Sequence, residues 1–410
     1  MSNDVSRRDL IKQGGLLAVG LMTPSWLASV AKADMLRAAK GLKSDPDTVL
    51  IVCQFSGGND GLNTVVPFAA NSYYEQRPTI AIPKEKVLHL DSAMGLHPSM
   101  TGIKELYDKG QVAVVQCVGY PNPNRSHFRS MDIWQSASPD DKMRYGWVGR
   151  HFDYALQTGK LDAVAGLGLS TEKPRALTAG KASLPCFASL ADIQNMVGSA
   201  DQEKLLRQIQ GTAADAGSAT RVIQQANNTA LDAMSALQAK LKNYNSTGTY
   251  GDDAFGKGFK QIAQLVATSP QTRVIYFSAG GFDTHSRQAE QQEKLLGGFS
   301  NAVNSFMKEM TAIGKADKVI VLAFSEFGRR AYENGSAGTD HGKAGPMFLI
   351  GSRVKGGLYG PNPDLQNLAD GDIGFKTDFR QVYATVLDDW MGSDSKSVLG
   401  DSFAKIAAIK

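Results

Sequence analysis

Three short polar segments in the C-terminal half place carboxylates and imidazoles beside apolar, strand-like runs. They are Gly281-Phe282-Asp283-Thr284-His285, Ser325-Glu326-Phe327-Gly328-Arg329-Arg330 and Thr339-Asp340-His341-Gly342. Carboxylate oxygen and imidazole nitrogen are metal-ligand types, and active sites of open α/β sheets gather at strand ends. The chain has only six histidines, and two of them, His285 and His341, fall in these segments. The chemistry this pattern points to is metal-assisted hydrolysis.

The elements that must position these groups are legible as apolar runs: Val49 to Phe55, Val112 to Val118, Val164 to Leu169, Arg273 to Phe277, Val319 to Phe324 and Pro346 to Ile350. Continuous Val/Ile/Leu runs alternating with helical patterns predict an α/β fold, a mainly parallel central sheet with helices on both faces. The stretch Ala191 to Thr268 has no strand-like run and carries a helical pattern in Leu231, Met234, Leu237 and Leu241. It reads as a helical insertion at about 191–268, with a loop over Asn243 to Asp253.

The N-terminus bears on compartment. Ser6-Arg7-Arg8-Asp9-Leu10-Ile11-Lys12 is a twin-arginine signature, followed by an apolar stretch Gly14 to Met22 and an Ala31-Lys32-Ala33 cleavage signal. The apolar stretch is well short of the roughly 20 residues that span a bilayer. Residues 1–33 are therefore expected to be a removable signal peptide read by the twin-arginine translocase, leaving a periplasmic or secreted domain over 34–410 with no stable transmembrane anchor. That removal takes away Arg7, Arg8, Lys12 and Lys32 against Asp4 and Asp9, and lowers the formal charge from +4 to +2. Such a balance leaves no nucleic-acid footprint. Cys53, Cys117 and Cys186 are too few for a disulfide framework and lie in apolar contexts, as buried structural thiols do.

From Thr48 to Phe403 the chain resembles the twin-arginine-exported bacterial family known as domain of unknown function 1501, a sulfatase-like branch of the alkaline phosphatase superfamily. The resemblance is carried by Gly57-Gly58-Asn59-Asp60-Gly61-Leu62-Asn63-Thr64-Val65-Val66-Pro67, Pro123-Asn124-Arg125-Ser126-His127-Phe128, the three polar segments above, and Val354-Lys355-Gly356-Gly357-Leu358-Tyr359-Gly360. It implies an alkaline phosphatase-like architecture and a divalent metal, zinc first. Asp60 is the implied ligand after the first strand, and the bare residues there also read as a tight turn. Asp283, His285 and His341 are the implied ligands of one metal, a set that suits a borderline cation.

At the next segment the superfamily pattern is an adjacent Asp-His pair, where this chain has Glu326-Phe327. A second, weaker site for manganese, magnesium or calcium is then expected through Glu326, with Asp340 or His127 open to recruitment. Ser126, after a strand and two prolines and before a helical pattern, stands where the superfamily nucleophile stands. It reads equally as a helix cap. His127 is a ligand or general acid from the same turn. Arg125, Arg329 and Arg330 are candidates for a phosphoryl or sulfuryl group, with one of the latter two expected to pair with a local acid such as Glu333.

The sequence thus predicts a metal-dependent hydrolase of phosphate or sulfate esters, acting on a small-molecule or glycan ester. The alternative is a non-catalytic envelope binding or scaffold protein with a degenerate site. If the N-terminal reading holds, replacing Arg7 and Arg8 together by Lys abolishes export of the folded chain. N-terminal sequencing of the exported wild-type protein then starts at Asp34, and a periplasmic fraction unchanged by the double replacement would refute the reading.

Overall fold

The computed structural model describes residues 48–158, 166–195, 239–269 and 271–410. The expected signal peptide and most of the expected helical insertion lie outside the described residues. Nine strands form the central sheet: β1 (Val49–Phe55), β2 (Val112–Gly119), β3 (Gly166–Leu169), β4 (Cys186–Phe187), β5 (Val274–Ala279), β6 (Val319–Ser325), β7 (Gly345–Ile350), β8 (Gly357–Tyr359) and β9 (Thr377–Asp378). Their order is β8-β2-β7-β6-β1-β5-β3-β4, with β9 beside β2. All pairings are parallel except those of β7, which runs antiparallel to β2 and β6. Every run expected from the sequence has a strand among the described residues, Val164 and Ala165 of the third lying outside them.

β1 is continuously apolar because it is buried on both faces and paired on both edges, Cys53 lying opposite Phe277 on one side and Ala323 on the other. Alternate residues serve opposite layers. Val49, Ile51, Cys53 and Phe55 pack with α3 (Thr101–Asp108), α6 (Ala254–Thr268) and α7 (Gln288–Ala312). Leu50 and Val52 share the other cluster with α4 (His127–Ser136), α5 (Trp147–Thr158) and α8 (Phe379–Asp389). In front of these come two short helices, α1 (Gly61–Thr64) and α2 (Asn71–Gln76). Cys53, Cys117 and Cys186 are free thiols, the first two buried.

The C-terminal part of the expected insertion is a core layer of the domain. Asp253 caps α6 by accepting from the Phe255 and Gly256 amides, and Phe255, Phe259 and Ile262 sit in the main hydrophobic cluster. The loop ahead of it is anchored by buried Glu309 of α7, whose carboxylate accepts from Tyr244 Oη at 2.7 Å, Ser246 Oγ at 3.0 Å, the Thr247 amide at 3.0 Å and Tyr250 Oη at 2.5 Å. A buried carboxylate is tolerated only when its lone pairs are used in this way.

On the opposite layer, His151 of α5 is buried against Ser393 Oγ, 2.6 Å from its Nδ1. Burial holds His151 and His97 down to about 4. In the unfolded chain each ring takes a proton near pH ~6.5, so protons favour the unfolded state between these limits. Chemical denaturation should accordingly show stability falling as pH drops from about 6.5 towards 4, with a shallower fall in His151→Gln. An unchanged slope in that variant would refute the assignment.

Candidate metal centre

Parallel strands β1, β2, β5 and β6 all end at one edge of the sheet. There β1 leads into Gly57 to Asp60, β2 into Arg125 to His127, β5 into Asp283 to His285, and β6 into Glu326 to Arg329. The antiparallel β7 enters the sheet where its neighbours leave it, so His341, four residues before it, reaches the same edge. This topology assembles the cluster from chain positions more than 200 residues apart.

Asp283 is its centre. Its Oδ1 lies 3.0 Å from His285 Nε2 and 3.1 Å from His341 Nε2, and its Oδ2 lies 3.5 Å from His127 Nε2. The two nitrogens of His285 and His341 are 3.0 Å apart. Those spacings are close to the ~3.3 Å between ligand atoms of a tetrahedral zinc with bonds of about 2.0–2.1 Å. His127, Asp283 and His341 also bring one ligand atom each within 4.8 Å of one another.

All three imidazoles are held in the same sense. His127 Nδ1 faces Glu326 Oε1 at 2.9 Å, His285 Nδ1 faces Asp340 Oδ1 at 3.2 Å, and His341 Nδ1 faces the Arg125 carbonyl at 2.8 Å. An acceptor behind Nδ1 makes that nitrogen the donor and turns the Nε2 lone pair towards Asp283, which is how metal-binding histidines are oriented. His127 Nε2 is buried with no hydrogen-bond partner and stands 3.5 Å from Asp283 Oδ2. The residues present therefore fit a divalent cation held by nitrogen and oxygen.

The electrostatics agree in part. Burial would raise the Asp283 carboxyl, but the Arg329 guanidinium and the imidazoles beside it bring it down to about 2, so it is an anion. Burial lowers His341, which favours the neutral ring a metal needs. The Glu326 hydrogen bond raises His127, so proton and cation compete for its Nε2. A cation here would also stand near the Arg329 guanidinium, a repulsion offset by Asp283, Glu326 and Asp340.

Not every sequence-predicted residue joins the cluster. Asp60 is 1% exposed and bound to Arg77 Nη1 and Gln288 Nε2, each at 2.5 Å, and to the Leu62 amide at 3.1 Å. It is the cap of α1 and half of a buried ion pair, so the ligand role expected of it gives way to a structural one. Glu326, fully buried, accepts from the Gly57 amide at 2.8 Å and from His127. It stands behind His127, on the side away from Asp283, and no separate second metal group arises among the described residues.

Arg125 is paired with Asp372 and with Asp370, so its guanidinium faces those acids rather than the imidazole cluster. Ser126 is exposed and stands at the N-cap of α4, yet its hydroxyl makes no capping bond. The hydroxyl is thus left for other chemistry.

Gln288, which the sequence reading missed, and Arg329, which it named, hold the loops in place. Gln288 Nε2 donates to Asp60, while its Oε1 accepts from Thr284 Oγ1 at 3.0 Å and Thr339 Oγ1 at 2.5 Å, the neighbours of Asp283 and Asp340. Arg329, fully buried, donates to the carbonyls of Gly57, Gly58, Phe282 and Thr339 and to Asp283 Oδ1 at 2.6 Å. Its acidic partner is Asp283; Glu333 instead accepts from the Thr79 and Ile80 amides. No local sequence signal marks Gln288 or Arg77, whose partners lie far away in the chain. Phe327 lies beneath the imidazoles of His127 and His341, with ring centroids 4.9 Å and 4.8 Å away. Gly58, at φ +76°, passes so close to Phe327 that a Cβ would stand 2.2 Å from the ring.

A family model described as "Protein of unknown function (DUF1501)" matches residues 47–402. No curated protein matches the chain. Similar solved structures include a protein in the alkaline phosphatase superfamily from Vibrio parahaemolyticus, at 10% identity and TM-score 0.40 over 92% of this chain and 79% of that one. Another is the C-terminal periplasmic domain of EcEptC from Escherichia coli in complex with Zn, at 8% identity and TM-score 0.36 over 76% and 74%. A third is alkaline phosphatase from the Antarctic bacterium TAB5, at 9% identity and TM-score 0.32 over 78% and 95%. At such identities and scores the likeness carries no argument about chemistry.

Removing the Arg329 guanidinium leaves several buried carbonyls without their donor. Arg329→Met is expected to lower stability by about 3 kcal/mol, and Arg329→Lys to recover little of it, since one ammonium cannot replace a planar fork. Denaturant midpoints measure both; a midpoint near wild type in either variant would contradict the clamp.

Proposed function

The chain belongs to the DUF1501 family, and from its cluster of three histidines around one aspartate we propose a metal-dependent hydrolase of phosphate or sulfate esters, exported to the periplasm by the twin-arginine route. One observation carries the reading: His127, His285 and His341 each turn Nδ1 to an oxygen acceptor and Nε2 towards the ionised Asp283. A purely structural scaffold has no need to gather three imidazoles around one carboxylate, two of them, His127 and His341, partly buried there. The export route rests on Arg7, Arg8 and the apolar stretch behind them. No helix among the described residues is long and apolar enough to cross a membrane.

His127, Asp283, His285 and His341 would hold the metal, with zinc the first choice for such ligands. When bound, it would supply Lewis-acid stabilisation of charge on the transferring group and lower the pKa of a nearby hydroxyl or water. The chain's own contribution is positioning. Glu326, Asp340 and the Arg125 carbonyl fix the three rings. Ser126, with its hydroxyl free of capping, stands at the N-terminal end of the ten-residue helix α4, where backbone N–H groups favour developing negative charge. In the displacement, the Ser126 or water oxygen forms a bond to phosphorus or sulfur as the bond to the alcohol oxygen breaks, and the nucleophile's proton is balanced by the one the alcohol takes up. Phe327 closes the protein side of the cluster with apolar surface, which strengthens every charge interaction above it.

Elemental analysis of protein purified without chelator or metal-affinity resin is expected to find about one equivalent of metal. Asp283→Asn with His341→Asn should lose both the metal and any activity on phosphate and sulfate ester panels. Glu326→Gln should weaken metal affinity about 10- to 100-fold through His127. A folded protein that takes up no metal on titration would sink the hydrolase reading in favour of a binding or scaffold role.

A further inference from the structure

Three cations flank the cluster without belonging to it. Arg125 precedes Ser126 and His127, Arg330 follows Arg329, and Lys343 lies two residues beyond His341. All three meet on one short turn, closed by the bridge between Ala369 and Asp372. Arg125 Nη2 pairs with Asp372 and lies 3.3 Å from Asp370 Oδ2. Lys343 Nζ donates to the Ala369 carbonyl at 2.9 Å and stands 3.8 Å from Asp370 Oδ2. Arg330 Nη1 bonds Tyr332 Oη at 2.6 Å, and both groups press on Gly371, where a Cβ would meet them at 3.2 Å and 2.6 Å.

The two acids of the turn are unlike. Asp372 is fully buried and permanently part of the wall, with one carboxylate oxygen lacking any partner. The Asp370 side chain is 77% exposed and is presented from a left-handed backbone, φ +60°, ahead of Gly371 at φ +74°. Non-glycine residues adopt that conformation at a cost and mostly where the surroundings impose it. Arg125 Nε is buried with no acceptor. Arg125 and Lys343 thus reach the exposed Asp370 carboxylate, Arg330 stands against the neighbouring Gly371, and the Arg125 Nε donor has no acceptor.

We propose that Arg125, Arg330 and Lys343 form an anion subsite beside the metal centre, that Asp370 covers it in the free protein, and that it receives a second anionic group of the substrate. The inference rests on the ester-hydrolase reading and narrows it to esters carrying at least two negative groups, such as a multiply sulfated or phosphorylated glycan. Guanidinium groups suit this task because their fork engages sulfate or phosphate oxygens in pairs. An intramolecular carboxylate in the same place balances the cations while the subsite is empty, and a ligand that brings a second anionic group must displace it.

The test is equilibrium binding of a fluorescent monosulfated disaccharide and its disulfated counterpart to the full folded chain, with zinc present, at about 50 mM salt where charge screening is modest. The disulfated probe is expected to bind about tenfold more tightly. Arg330→Met with Lys343→Met should erase most of that difference and move the monosulfated probe less than about twofold. Asp370→Asn should tighten the disulfated probe alone, by about threefold.

Equal affinity of the two probes for wild type, equal losses in the double variant, or no response to Asp370→Asn would each overturn the subsite. Binding requires no turnover, so the two readings fail separately. A chain that shows the binding pattern but hydrolyses neither probe keeps the subsite and loses the hydrolase. One that hydrolyses both probes with equal KM keeps the hydrolase and loses the subsite.

Discussion

The site depends on one buried guanidinium. Arg329 joins the loops that follow β1 and β5 to the loop that precedes β7, through carbonyls of Gly57, Gly58, Phe282 and Thr339 and through Asp283. Backbone carbonyls at strand ends have no ladder partner and would be costly to bury alone. A single planar cation with five donors satisfies several of them together and sets their spacing. The same group holds Asp283 ionised, so the constraint that closes the loops also prepares the carboxylate at the cluster's centre.

A second buried ion pair, Arg77 with Asp60, does similar work one layer deeper, with Arg77 reaching also the carbonyls of Arg330 and Ala331. Gln288 connects the two systems by donating to Asp60 and accepting from Thr284 and Thr339. Rigid backing of this kind is what a metal or catalytic site requires, because ligand orientation is set by what stands behind the ligands. The segments that carry Asp283 and His341 cannot shift independently while this network is intact.

Glu326 illustrates how a carboxylate's role follows from its neighbours. It lies at the end of β6 among metal-ligand types, yet it is fully buried and its oxygens are engaged by Gly57, His127 and Ser325. Being behind His127, it sets that ring's tautomer and basicity. Phe327, next in the chain, supplies apolar packing to two imidazoles. The pair Glu326-Phe327 thus supports the rings of His127 and His341.

The strands, their parallel character and the two-sided burial of β1 were legible in the sequence because hydropathy period is a local property: Val49 to Phe55 states its environment within seven residues. So were the residue types of the site, since His285, His341 and Asp283 lie in short polar words at strand ends. Which of those groups face one another was not legible. Asp60 and Asp283 are both aspartates after an apolar strand, and only the fold assigns the first to Arg77 and the second to three imidazoles. His127 could be read only as one option among several, because its partners lie 156, 199 and 214 residues away, at Asp283, Glu326 and His341. Composition and periodicity determined what this chain buries. The antiparallel entry of β7 and the buried guanidinium of Arg329 decided what meets at the sheet edge, because pairing among polar groups is set by distances that no local pattern encodes.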